Sequence, residues 1–182
     1  IGYPVILKAQ VLVGGRGLAG GIRTASSPDE LKEVAESLLS SDVKGLPVLK
    51  LLVCEKVEIA RELYVGITVD GYSGKPVIVA STEGGVRIEE TARSSPDKIA
   101  SFHVDSSLEF YPYQARTLLS RIGVSQQLLT SWTDVIGQLY HIAMSHESLI
   151  CEINPLVVLP NGGLIAVDAV LEIDDSALSR VR

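Results

Sequence analysis

The stretch LICEINPLVVLPNGGLIAVDAV, Leu149 to Val170, decides the fold. It is apolar enough for a buried β-hairpin, yet it carries Glu152, Asn154 and, on its second arm, Asp168. Burying an unpaired carboxylate is costly, so such a group finds a partner or a metal, or changes protonation. Pro160-Asn161-Gly162 suits a three-residue hairpin loop with Gly162 in the left-handed conformation. That register sets Asp168 opposite Asn154. Glu152, two residues from Asn154 on one strand, faces the same side. A carboxylate and an amide oxygen then meet on one face, with a second carboxylate diagonally beside them. Such a donor set suits Mg²⁺, with phosphates and waters completing the octahedron. The same three residues also suit a solvated hairpin face, or Asn154 bonding to backbone. Spacing alone leaves both readings open.

Working outward, the N-terminal part holds a second unusual segment, GGRGLAGG, Gly14 to Gly21. Gly15-Arg16-Gly17-Leu18-Ala19-Gly20 matches the spacing of a dinucleotide fingerprint, but that fold needs a helix opening inside the pattern. Here IRTAS, from Ile22, reads as a return strand, and the helix start is Ser27-Pro28-Asp29-Glu30, a capping box with Pro at the first helical position. What remains is a glycine-rich tip after the strand-like Tyr3–Val13. Glycines let backbone N–H groups approach a phosphate closely, and Lys8 and Arg16 would offset its charge. The alternative is a surface loop with a solvated Lys and Arg.

The other periodicities give an α/β (α+β) chain with antiparallel sheet. Helices are expected from Pro28, over Tyr113–Ile122 and over Gln126–Ser145, the last with an apolar stripe of Leu128, Leu129, Trp132, Val135, Ile136, Leu139 and Ala143. Strands are expected over Leu49–Val57 and in a hairpin of Leu63–Asp70 with Pro76–Ser81. Ile88–Ala92 and Pro96–Ala100 are ambiguous. A boundary between two lobes falls near Val57, giving 1–57 and 58–182.

Composition narrows the class. The 182 residues are 46% hydrophobic and 21% charged, with net charge −6. That content supports one good core or two small ones. No basic block points to nucleic acid, and no apolar run approaches the roughly 20 residues that span a bilayer. Cys54 and Cys151 stand alone without a CxxC, so a reducing cytosol or matrix and small core thiols are expected. The chain opens at Ile1 in what reads as mid-fold, so a fragment is expected. Glu62 reads as a ligand or a surface partner. His103, His141 and His146 show no metal spacing, and His141 reads as structural. Glu172, Asp174 and Asp175 read as a solvated turn, and Ser81–Gly85 (STEGG) as a turn or an anion contact.

Six blocks carry a resemblance: KAQVLVGGRGLAGGI, EIARELYVG, ASTEGGVRIEE, PYQAR, CEINPLVV and LIAVDAVLEIDDSAL. In order and spacing they resemble the ATP-grasp region of the succinyl-CoA synthetase β-subunit family, over essentially the whole chain. The resemblance implies a two-lobed ATP-grasp fold, with ATP or GTP as substrate and Mg²⁺ as cofactor. It implies that Lys8 contacts the nucleotide phosphates and that Gly15, Arg16 and Gly17 form part of the nucleotide pocket. Cys54 to Val57 would line the adenine through backbone groups, Glu62 would hold the ribose, and Asn154 and Asp168 would bind Mg²⁺. Glu152 would be the catalytic carboxylate, meeting a phosphohistidine loop of an α subunit that also carries the CoA site, in an αβ or α2β2 assembly. The implied reaction is succinate + CoA + ATP (or GTP) giving succinyl-CoA, ADP (or GDP) and phosphate, a step of the tricarboxylic acid cycle. Malate, citrate and acetate ligases, and a non-catalytic paralogue, share the pattern. The sequence departs from it at Leu18, Gly71 and Val170, where the family usually has a cation, and at Cys54, where some members have Glu.

Overall fold

Apolar alternation and turn chemistry give two main sheets and one small hairpin, described here from a computed structural model covering residues 2–85, 88–105 and 110–180, without the side chain of Glu89. The chain divides into two compact units, Ile1–Glu58 and Ile59–Arg182.

In the first unit, β1 (Val5–Ala9) is the middle of a three-stranded antiparallel sheet in the order β2–β1–β5, with β2 at Ile22–Ala25 and β5 at Leu51–Glu55. β1 is shorter than Tyr3–Val13, because the glycine-bearing connection begins at Gln10. Helix α1 (Pro28–Leu39) starts where expected: Ser27 Oγ accepts from the Glu30 N–H at 3.2 Å. The Glu30 carboxylate reaches one residue further back than a standard capping box, accepting from Ser26 N–H at 2.7 Å. Leu31, Val34, Ala35 and Leu38 of α1 cover Val5, Leu7 and Ala25. A two-residue turn, Lys44-Gly45, with both φ positive, closes the small hairpin β3 (Asp42–Val43) and β4 (Leu46–Pro47), which the sequence reading missed.

In the second unit, the strand order is β10–β9–β6–β7–β8, with β11 also paired to β9, all antiparallel. The strands are β6 (Arg61–Val69), β7 (Pro76–Ser81), β8 (Ile99–His103), β9 (Ser148–Val158), β10 (Leu164–Ala166) and β11 (Ala169–Ile173). The ambiguous stretch resolves into α2 (Ile88–Ser94), a 3-10 turn and β8. Helices α3 (Pro112–Arg121) and α4 (Gln126–Ser145) cover one face of the sheet. Leu128, Trp132, Ile136, Leu139 and Ala143 of α4 are buried there, against Leu63, Val65 and Ile67 of β6 and Cys151, Leu156 and Val158 of β9. Burial of each large side chain stabilises by about 1.5–3 kcal/mol. His141 is exposed, correcting the structural role expected for it. Glu172 lies within β11, not in a turn. Asp174 caps the 3-10 turn that follows, accepting from Ser176 N–H at 2.8 Å.

β9 changes phase midway. Leu63 pairs Leu156 but Val65 pairs Ile153, so two residues, Asn154 and Pro155, oppose Tyr64 alone. This β-bulge lets Cys151 and Ile153 before it, and Leu156 and Val158 after it, all turn to the helices.

Candidate functional site

The face of the second sheet turned from α3 and α4 is where the polar hairpin residues gather. On β6 the core residues are Leu63, Val65 and Ile67, so alternation sends Glu62, Tyr64 and Gly66 to the other side. Glu152 is the cross-strand partner of Gly66. The β9–β11 hairpin has the register read from its turn. Leu159 N–H bonds Gly163 O at 2.9 Å, Gly162 has φ +84°, and Asn154 N–H bonds Asp168 O at 3.1 Å. Asp168 therefore stands opposite Asn154, and Val170 opposite Glu152.

Two groups fix this face, a tyrosine that the sequence reading missed and a backbone N–H of the kind allowed for Asn154. The Tyr64 hydroxyl donates to Glu152 Oε2 at 2.9 Å, and Gly85 N–H donates to Asn154 Oδ1 at 2.8 Å. Gly84 and Gly85 come close because neither has a side chain: a Cβ on Gly84 would strike the Leu63 backbone, and one on Gly85, at φ +73°, would strike the Glu62 carboxylate. Gly84 N–H also bonds Glu62 O at 2.9 Å. The STEGG segment is thus a turn seated on the start of β6, and it brings Glu62, Gly85 and Asn154 together. The glycine pair was the signal for this close approach; nothing in the sequence pointed to its target.

Among the described residues there is no group of three or more His, Cys, Asp and Glu that could hold a metal. Asn154 and Asp168 together offer an amide oxygen and a carboxylate. That set fits Mg²⁺, which takes one or two protein oxygens and keeps waters and phosphates; it is too sparse for a closed Zn²⁺ site.

In the first unit Lys8 is 4% exposed, between Ile22 of β2 and Leu52 of β5. It lies on the sheet face opposite Val5 and Leu7, and so opposite α1. Cys54 pairs Ile6 across β1 and β5 and shares that face. Val57 follows β5, half-buried. The connection from β1 to β2 folds back on itself. Ala9 N–H bonds Gly21 O at 2.8 Å, Gly21 N–H bonds Arg16 O at 2.8 Å, and Arg16 Nη1 donates to Ala9 O at 3.3 Å. Gly15 has φ +70° and Lys44 Nζ donates to Gly14 O at 2.8 Å. No helix opens inside the glycine pattern, and β2 runs antiparallel to β1, which excludes a dinucleotide-binding βαβ unit.

The three departures sit in different places. Leu18 projects fully exposed from the glycine loop. Val170 is exposed beside Glu152 on the polar face. Gly71 lies in the β6–β7 turn, beyond the end of β6 and nine residues from Glu62, roughly 30 Å along an extended strand. In that turn the Ser73 hydroxyl and the Tyr72 N–H hold the Asp70 carboxyl below its ordinary range. The thiol of Cys151, buried in the second core, is pushed up by burial; Cys54 is only half-buried. A groove of about 530 Å³ along α4, bordered by Phe110, Asp134, Gln138 and His141, lies on the helix side of the sheet, away from the polar face.

Known proteins match this arrangement. The ATP-grasp domain family matches residues 1–158. The chain is 46% identical over 182 residues to the β subunit of an ADP-forming succinate–CoA ligase from Methanothermobacter thermautotrophicus, covering 100% of this chain and 49% of that one. It is 43% identical over 179 residues to the β subunit of a GDP-forming succinate–CoA ligase from Thermus thermophilus, covering 98% and 47%. The chain therefore spans about half the length of these relatives. Its fold superposes on a solved ATP citrate lyase from Methanothrix soehngenii with TM-score 0.73 at 22% identity, over 96% of this chain and 40% of that one. An antiparallel glycine-loop sheet, a second sheet with an oxygen-bearing hairpin, and a family match over residues 1–158 lead to one conclusion: the chain belongs to the ATP-grasp domain family.

Proposed function

We propose that this chain is the nucleotide-binding part of a succinate–CoA ligase β subunit, ADP- or GDP-forming, and that it positions a nucleoside triphosphate for phosphoryl transfer to a histidine of an α partner subunit. The observation that carries this reading is the polar face of the second unit. There Asp168 stands opposite Asn154, Glu152 lies alongside, and the fold holds Glu152 and Asn154 by hydrogen bonds. The unit Ile1–Glu58 serves as the smaller lobe and Ile59–Arg182 as the larger. Lys8 and Arg16 offset phosphate charge, the glycine loop offers backbone N–H groups to phosphate oxygens, the backbone from Cys54 to Val57 meets the base, and Glu62 accepts from the ribose hydroxyls. Asn154 and Asp168 hold Mg²⁺, and the chemistry it supplies when bound is neutralisation of charge on the transferring phosphoryl group.

In the proposed step a ring nitrogen of the partner histidine attacks the γ-phosphorus. An N–P bond forms, the bond from phosphorus to the bridging oxygen breaks, and its electron pair leaves on the nucleoside diphosphate. Glu152 accepts a hydrogen bond from the other ring nitrogen and orients the imidazole. The phosphoryl group then passes to succinate, and the CoA thiol displaces phosphate from the acyl phosphate. This places the protein in the tricarboxylic acid cycle, in a reducing compartment, the cytoplasm or a mitochondrial matrix. The two free thiols agree with that setting.

A second reading, nucleotide binding without transfer, is favoured by Val170, an apolar residue directly opposite Glu152 where the resemblance implies a cation. One assay separates them. The full natural chain with its α partner, γ-labelled ATP or GTP and Mg²⁺ should place an acid-labile, base-stable label on the α subunit, discharged by succinate and CoA. Asp168→Ala should slow that labelling by roughly 10²–10³-fold, the usual effect of removing one preorganised transition-state contact. Nucleotide binding with no label transfer from the unsubstituted protein would establish the second reading.

A further inference from the structure

Among the described residues Glu152 is held by the side chain of Tyr64, and that side chain depends on a glycine. Tyr64 and Gly66 lie two residues apart on the same face of β6, and Glu152 is the cross-strand partner of Gly66. The Tyr64 ring crosses over Gly66 to bring its hydroxyl to Glu152 Oε2 at 2.9 Å. A Cβ at position 66 would run into that hydroxyl and the ring carbon bearing it. The ring is 6% exposed, so it is fixed by packing and not by solvent. Glu152 itself is only half-buried, and its other oxygen, Oε1, has no partner among the described residues.

We infer that Tyr64 is a positioning residue for phosphoryl transfer: its phenol, admitted by Gly66, holds one carboxylate oxygen of Glu152 so that the other is aimed at the partner's imidazole. The inference rests on the role proposed above for Glu152. A glutamate has three side-chain torsions, and an unrestrained one spreads its carboxylate over several rotamers. A hydroxyl donated to Oε2 selects among them, and a phenol is well suited because its own ring has only two torsions and is packed. The arrangement supports a carboxylate that accepts from an imidazole N–H without rearranging during the reaction.

The test is a double-mutant cycle on the full natural chain with its α partner, using Tyr64→Phe, Glu152→Gln and the pair. It reads the single-turnover rate of α-subunit labelling at saturating nucleotide, the nucleotide Kd and the melting temperature. Phe fills the space of the Tyr ring, so Kd and melting temperature should stay unchanged while the rate falls roughly 10- to 100-fold, the range typical of groups that orient a reacting residue. In the Glu152→Gln background the same substitution should change the rate less than twofold, which a merely structural role for Tyr64 would not produce. Equal losses in both backgrounds would overturn the inference, because Tyr64 would then act independently of Glu152. A slow Glu152→Gln with a fast Tyr64→Phe would overturn it while leaving the role of Glu152 intact. A Glu152→Gln that transfers at the unsubstituted rate would overturn both. Gly66→Ala gives a second, independent disruption: it displaces the hydroxyl with Tyr64 still present, and the expected result is the same fall in rate, with no fall overturning the inference.

Discussion

The glycine loop of the first unit and the polar face of the second are built in opposite ways. The loop is tied by main-chain bonds, Gly21 N–H to Arg16 O and Ala9 N–H to Gly21 O, with side-chain ties from Arg16 and Lys44 to backbone carbonyls. The polar face is fixed by hydrogen bonds between groups remote in sequence: the Tyr64 hydroxyl to Glu152 spans 88 residues, and the Gly85 N–H to the Asn154 side chain spans 69. The first can rearrange one turn at a time, while the second is set only when the whole sheet is formed. The difference suits the proposed division of labour, since backbone that wraps phosphates must adapt to them and a group that orients a nucleophile must not move.

Glycine substitutions test that contrast directly. Gly84→Ala should have the largest effect. Its Cβ meets the backbone of Leu63 in β6, which cannot rotate away, so the cost should reach the upper end of the overpacking range, about 3 kcal/mol, in urea unfolding. Gly15→Ala should be milder. Its φ of +70° penalises any side chain by about 1 kcal/mol, but the atom it meets, Lys44 Nζ at 3.0 Å, ends a flexible chain. If the two substitutions proved equal, the idea of a preset face and a yielding loop would fail. The smallest effect belongs to neither region. Arg180 pairs with Glu147 at 2.6 Å, and its guanidinium holds that carboxyl below its ordinary value of 4.5. A depressed carboxyl pKa adds stability above the unfolded value and loses it as pH falls through the folded one. Arg180→Ala should therefore melt slightly below the unsubstituted protein at pH 7, and the gap should close as pH drops below about 4.5. A gap that persisted at pH 2 would refute the ion-pair explanation.

The hairpin register was legible because Pro160-Asn161-Gly162 permits few loop geometries, and counting back from Gly162 places Asp168 against Asn154. Helices α1 and α4 were legible from the Ser27 cap and the apolar stripe. β8 was not, since IASFH is short and its burial alternates weakly. The partners of Glu152 and Asn154 were illegible for another reason. A tyrosine among the apolar residues of β6 reads as core, and a backbone N–H has no sequence signature. His141 misled because it neighbours the apolar stripe without belonging to it.

The bulge at Asn154-Pro155 makes β9 a strand whose length is counted rather than merely sufficient. Removing one of the two residues would restore strict alternation, and Leu156 and Val158 would then trade places with their neighbours, carrying apolar side chains out to the polar face. Side chains here can vary one at a time, whereas a single insertion or deletion shifts every position beyond it at once. The strand behaves like a message read in pairs with one letter deliberately doubled: it tolerates misspelling far better than it tolerates a lost character.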